Sequence, residues 1–257
     1  MLKVRIIPTL LWKDLGLVKG IGFDSWRRVG TILPAVKVYN MREVDELIVL
    51  DITATREARE PDYEAVAEFS GDCFVPLTVG GGIRKMEHIT KLLRSGADKV
   101  AINSAAYDDP ELITKAANHF GSQCVVASID ARMADDKNHY CFSRCGTDAT
   151  GKEVVAWARE LEARGAGEIL ITSVEQDGTM GGYDLDLLRK VSEAVTIPVI
   201  ASGGAGSYQN MLDAISLGKS SAVAAASMFH FTEQTPLAAK QFLQDNGILV
   251  RNANMRP

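Results

Sequence analysis

The chain has 257 residues, of which 46% are hydrophobic and 24% charged, with a formal net charge of −5. These values exclude collagen-like and low-complexity chains, and the acidic balance argues against a duplex nucleic-acid partner, which is usually bound by a basic face. Four cysteines are too few for a disulfide scaffold, and Cys141 and Cys145 stand without a second pair at ligand spacing, so neither a metal nor a cofactor is expected. No apolar run approaches the ~18 residues of a membrane helix, and Met1-Leu2-Lys3-Val4-Arg5 runs straight into a strand-like segment. The expectation is a soluble cytoplasmic protein with reduced thiols and no membrane partner.

Short β-branched runs at 4–11, 46–52, 74–79, 99–102, 124–129, 168–173, 198–202 and 221–225 read as strands, eight in all. Between them apolar residues recur at helical spacing, as in Ile89, Leu92 and Leu93 before Gly96, or Val154, Trp157, Ala158 and Leu161 before Gly165. Gly96, Gly165 and Gly218 are the expected helix stops. Eight βα units within one chain of this length match a (β/α)8 TIM barrel better than an open doubly wound sheet. The chain is therefore read as one barrel domain, 1–257, built from half-barrels of about 1–123 and 124–251, with 252–257 as a frayed tail. Two connections, 12–30 and 131–151, are read as long loops on the face formed by the C-terminal strand ends.

The halves echo each other at an offset of 123 residues, which pairs Gly81 with Gly204, Val100 with Val223 and Ser104 with Ser227. Glycines at a strand end let backbone N–H groups approach a ligand, so Gly80-Gly81-Gly82 and Gly203-Gly204 are candidate phosphate cradles for one ligand with two anionic ends. Polar residues at strand ends add Asp51, Asn103, Asp130, Thr172, Ser173, Asp177 and Ser202 as candidates. Asp130 follows the apolar run Val125–Ile129 and is the candidate general acid or base, the competing reading being a carboxylate that only caps a loop or pairs with a nearby cation. Lys19 either folds over a phosphate or is a solvated loop lysine. Arg5, Glu46, Lys99 and Glu168 stand at strand starts, where they form either a stabilising plug or a gate of alternating charge.

Taken together, these residues resemble the synthase (cyclase) subunit of imidazole glycerol phosphate synthase, the HisF type, over nearly the whole chain. The most specific stretches are Leu50-Asp51-Ile52-Thr53-Ala54, Thr78-Val79-Gly80-Gly81-Gly82-Ile83, Gly121-Ser122-Gln123, Asp177-Gly178-Thr179 and Ile200-Ala201-Ser202-Gly203-Gly204-Ala205-Gly206. The resemblance implies a lyase-type subunit of a two-protein glutamine amidotransferase. In such a pair a glutaminase docks on the N-terminal barrel face, and ammonia crosses the barrel to a phosphorylated small molecule at the other face. It further implies that Arg5, Glu46, Lys99 and Glu168 match the ammonia gate, and that Gly82, Asn103 and Ser104 match one phosphate site. Asp177, Gly178, Gly204 and Ser227 match the other, and Asp130 matches one of two catalytic aspartates.

The second aspartate is missing. Where the family reads Cys-Leu-Asp-Val-Lys-Asp-Gly, this chain reads Thr9-Leu10-Leu11-Trp12-Lys13-Asp14-Leu15. With Leu11 in that position, the chain resembles the paralogous branch associated with surface-polysaccharide synthesis, in which the barrel and a glutaminase supply ammonia to a third, sugar-amidating protein. The rivals are an ordinary synthase of histidine biosynthesis with Asp14 as substitute acid, and a non-enzymatic metabolite sensor.

Overall fold

The structure is a computed structural model and describes residues 3–14 and 16–251, so the expected tail at 252–257 lies outside the described residues. Eight parallel strands form its centre: β1 (Arg5–Lys13), β4 (Leu47–Asp51), β5 (Leu77–Gly80), β6 (Lys99–Ile102), β7 (Val125–Met133), β10 (Glu168–Ser173), β11 (Val199–Ser202) and β12 (Ala222–Ala225). Each pairs with its neighbours around the ring, and β7 pairs with β10 from Glu168 opposite Val126 to Ser173 opposite Ala131, which closes the sheet. The result is a (β/α)8 barrel, as its alternating strands and helices predict.

Two of the expected loops are β-hairpins. Residues 12–30 continue β1 and then form β2 (Gly16–Ile21) and β3 (Asp24–Gly30), while 131–151 continue β7 and form β8 (His139–Ser143) and most of β9 (Asp148–Glu153). Four glycines concealed the first hairpin, yet Gly22 and Phe23 carry the paired positive φ values, 58° and 65°, that a two-residue primed turn demands. Lys19 consequently lies within β2 and is only 4% exposed, which overturns its reading as a solvated loop lysine.

Alternation along the strands divides the apolar residues into two cores. Ile7, Ile48, Ala101, Val126, Leu170, Ile200, Ala222 and Ala224 fill the barrel interior. Ile6, Leu10, Val49, Val100 and Ile169 belong to the larger core, together with the buried faces of helices such as α3 (Met86–Arg94) and α6 (Val154–Ala163). Gly96 and Gly165 follow these two helices at φ 104° and 100°, as their reading as stops requires. Gly218 follows α8 (Tyr208–Ser216) without a positive φ, and is required instead because a Cβ there would press on the Ala214 carbonyl and the Leu188 side chain.

The interior layer has little room to collapse, because its neighbours are fixed by strand hydrogen bonds. Ile48→Ala is therefore expected to lower the unfolding free energy by about 2–5 kcal/mol, read as a lower urea midpoint with an unchanged slope.

Candidate functional site

β1 and β7 stand four places apart in the ring of eight and so face each other across it. On β1 the residues Arg5, Ile7, Thr9 and Leu11 point inward, and on β7 Val126, Ser128 and Asp130 do so. At the C-terminal mouth a cavity is lined by Thr9, Leu11 and Leu50 on one side and by Ser128, Asp130 and Thr172 on the other. The side chain opposite Asp130 is thus the isobutyl group of Leu11, 8% exposed and paired with Leu50 on β4 and Val18 on β2. Asp14 is exposed at the β1–β2 turn and is not part of the cavity wall.

Asp130 is buried within β7, which runs on to Met133 instead of ending beside it. Its Oδ2 accepts one hydrogen bond from Asn103 Nδ2 at 2.9 Å. Burial raises its pKa to about 7; the Asn103 hydrogen bond opposes the rise and the nearby Asp177 charge adds to it. A carboxyl poised there can give or take a proton near neutrality. Cys145 also lines the cavity, but burial pushes its thiol up to about 11, so it is a poor nucleophile.

The two glycine turns flank this acid. Gly81 and Gly82 have φ of 104° and 72°, and Gly203 and Gly204 have 88° and 104°. A Cβ on Gly81 would overlap the Asp51 carbonyl, and one on Gly204 the Gly182 carbonyl, so only glycine fits either place. The halves match even in backbone angles, since Asn103 (φ −117°, ψ −91°) and Ala226 (φ −128°, ψ −69°) stand 123 residues apart, each before a short helix. They differ in occupancy. Ser104 Oγ accepts the Arg144 N–H at 2.9 Å from the β8–β9 turn, whereas Ser227 Oγ is buried without a partner.

The remaining expected residues are gathered here with different freedom. Ser202, Thr172, Asp177 and Gly178 line the cavity, and Lys19 Nζ reaches Asp177 at 2.8 and 3.1 Å. Ser173 is buried but is not part of that wall. Asp51 lines it too, but its carboxylate accepts from Thr53 N, Ala54 N and the Arg59 guanidinium, so it is committed to shaping the β4 loop. The fit of Gly178 is set by the first hairpin, because a Cβ there would overlap the Gly20 carbonyl, and the Gly22 N–H donates to Asp177 O at 2.9 Å. This contact brings Phe23 and Trp26 over the cavity, two wall residues that the loop reading missed. The apolar residues Leu17, Val18 and Ile21 show no period-two alternation ahead of Gly22, so the sequence carried little sign of this strand.

At the opposite end of the barrel four charges meet. Arg5 Nη1 contacts Glu46 at 2.7 Å and Glu168 at 2.9 Å, and Lys99 Nζ contacts the same two carboxylates at 3.1 and 3.0 Å. The ring is closed and charge-neutral. Glu168 Oε2 remains buried without a hydrogen-bond partner.

The family model described as "Histidine biosynthesis protein" (His_biosynth) matches residues 5–235. The chain is 45% identical over 254 residues to the imidazole glycerol phosphate synthase subunit HisF of Nostoc sp. (strain PCC 7120 / SAG 25.82 / UTEX 2576), covering 98% of each chain. The chain belongs to this family. The subunit of the same name from Trichormus variabilis (strain ATCC 29413 / PCC 7937) is 46% identical over 254 residues, 98% of this chain and 99% of that one. Among the described residues of this HisF-type barrel, no group of three or more His, Cys, Asp or Glu side chains could hold a metal ion, and no helix is long and apolar enough to cross a membrane.

The sign of the pH effect at Asp130 follows from its raised pKa. Between the ordinary carboxylate value of 3.8 and about 7 the folded protein keeps a proton that the unfolded chain has lost. Stability is therefore expected to fall as pH rises through that window and to level off above it. Carboxyl NMR should place the Asp130 midpoint near 7, and Asp130→Asn should flatten that part of the stability profile in urea titrations.

Proposed function

We propose that this HisF-type chain is the ammonia-using synthase subunit of a glutamine amidotransferase, receiving ammonia from a separate glutaminase at the N-terminal face. Three features support the conduit. A closed ring of two cations and two carboxylates stands at one mouth, an apolar layer that includes three alanines follows it, and a cavity with Asp130, Thr172 and Ser202 among its wall residues lies beyond. The docking face is supported by large apolar side chains around the same mouth, with Phe74 80% and Met41 75% exposed, an arrangement typical of interaction sites.

The acceptor is the finer question, and Leu11 opposite Asp130 carries our answer. Ring closure on a bisphosphate needs two groups that handle protons, and a hydrocarbon handles none. General acid–base groups typically contribute 10²–10⁴-fold each, so one acid cannot sustain ordinary turnover. Ammonia released at the C-terminal mouth is then used by a third protein that amidates a sugar of a surface polysaccharide. In this role the two glycine cradles, with Gly82, Asn103 and Ser104 at one and Gly178, Gly204 and Ser227 at the other, hold an anionic ligand as an effector that is bound without being cyclised.

A second reading is favoured by the names of the relatives: an ordinary imidazole glycerol phosphate synthase subunit in histidine biosynthesis. It requires another acid, and Asp14 is exposed outside the cavity wall.

Two rate measurements separate the readings. The purified barrel, given ammonium and the histidine-pathway bisphosphate substrate, is expected to bind the substrate without efficient turnover, and efficient turnover would overturn the proposal. Leu11→Asp is expected to raise the rate by roughly 10²–10⁴-fold while Asp14→Asn changes little. If Asp14 is instead the acid, Asp14→Asn abolishes turnover and Leu11→Asp has little effect.

A further inference from the structure

Arg5 bridges the two carboxylates of the charged ring, so the ring depends on where the start of β1 is held. Val4 is gripped by the segment that follows the last barrel strand, and Ile6 by Asp45 ahead of β4, which a lysine of that same segment supports. Val4 N–H donates to the Leu249 carbonyl at 2.8 Å, and Val4 forms an isolated parallel bridge with Val250. Ile6 N–H donates to Asp45 Oδ2 at 2.9 Å, and the Asp45 N–H donates back to the Ile6 carbonyl at 3.3 Å. Asp45 Oδ1 in turn takes a hydrogen bond from Lys240 Nζ at 2.7 Å, and the same ammonium donates to the Glu43 carbonyl at 2.6 Å. Lys240 belongs to α10 (Pro236–Asp245) and is 3% exposed.

A parallel exists on the other side of the ring. Asp98 precedes Lys99 as Asp45 precedes Glu46, and it clamps the neighbouring strand in the same way: Leu77 N–H donates to Asp98 Oδ2 at 2.8 Å and Asp98 N–H returns to the Leu77 carbonyl at 2.9 Å. Asp98 is exposed and solvated, whereas Asp45 is buried. A buried carboxylate without a cation is strongly disfavoured, so the Asp45 clamp needs a counter-charge, whereas the exposed Asp98 carboxylate is stabilised by solvent.

The geometry points to Lys240 as the positioning residue of the ring: its ammonium balances Asp45, which holds Ile6 and thereby sets Arg5 at the height where it meets Glu46 and Glu168. The purpose of that positioning rests on the conduit reading, but the positioning itself does not. Displacement of α10 is passed through Lys240 and Asp45 to Arg5, so the C-terminal helix is a lever on the mouth of the barrel.

The test reads the ring directly, from the Arg5 Nε–H and Lys99 ammonium signals in ¹⁵N spectra of the full chain. Lys240→Met is expected to speed their exchange with water by roughly tenfold or more and to lower the melting temperature, and Lys240→Arg to restore both. The double variant Asp45→Ala with Lys240→Met removes both buried charges. It should regain much of the melting temperature while ring exchange stays fast, because the clamp is gone. Slow ring exchange in Lys240→Met, or recovery of the ring together with the melting temperature in the double variant, would overturn the proposal. Should Lys240→Met fail to fold, the double variant alone decides it. These signals report ring geometry and not ammonia, so a failure of the conduit reading leaves them as they are and is seen separately in turnover.

Discussion

Closure of the sheet between β7 and β10 is the constraint on which the rest of the protein depends. Once eight strands form a ring, alternate side chains of every strand share one enclosed interior, and their height along the axis is set by register. Charges at the strand starts then meet at one level, apolar residues at the next, and polar residues at the open end. The charged ring, the alanine-containing layer and the Asp130 cavity are therefore three floors of one arrangement. Moving any strand by one residue would exchange its contribution to all three for residues that now face the helices.

The same closure explains why Leu11 matters more than its chemistry suggests. β1 and β7 are opposite members of the ring and carry equivalent hairpins, so their inward residues near the mouth are natural partners across a ligand. Asp130 retains a desolvated carboxyl with a raised pKa, while its counterpart offers only packing against Leu50 and Val18. The cavity is flanked by two equivalent glycine turns and contains one carboxyl with a raised pKa. The internal symmetry of the fold is evident in its glycine turns, whereas of the two facing positions 11 and 130 only the second carries an acid.

Much of this was legible from residues alone, though unevenly. The eight strands, the doubled glycine turns and the four strand-start charges are local patterns, because period-two alternation and glycine at a turn are imposed by neighbours a few residues away. The hairpins were not legible in this way: β2, β3 and β9 carry glycine and charge, and the order of both hairpins comes from pairing that starts on β1 and β7. Lys19 kept two readings for that reason, since nothing in Val18-Lys19-Gly20 announces that Asp177, 158 positions later, will pair with it. Asp51 shows the converse, a strand-end acid whose oxygens are taken up by its own loop and Arg59.

By itself the sequence determined the barrel class, the offset of 123 residues between its cradles, the family resemblance and the absence of a carboxylate at position 11. Only the tertiary structure decided that Leu11 faces Asp130, that four separated charges make one closed ring, and that Lys240 secures Asp45 beside it. The reason is one of range. Periodicity and turn chemistry act within a few residues, whereas opposition across a barrel and the neutralisation of a buried charge join residues that meet only after the ring has closed.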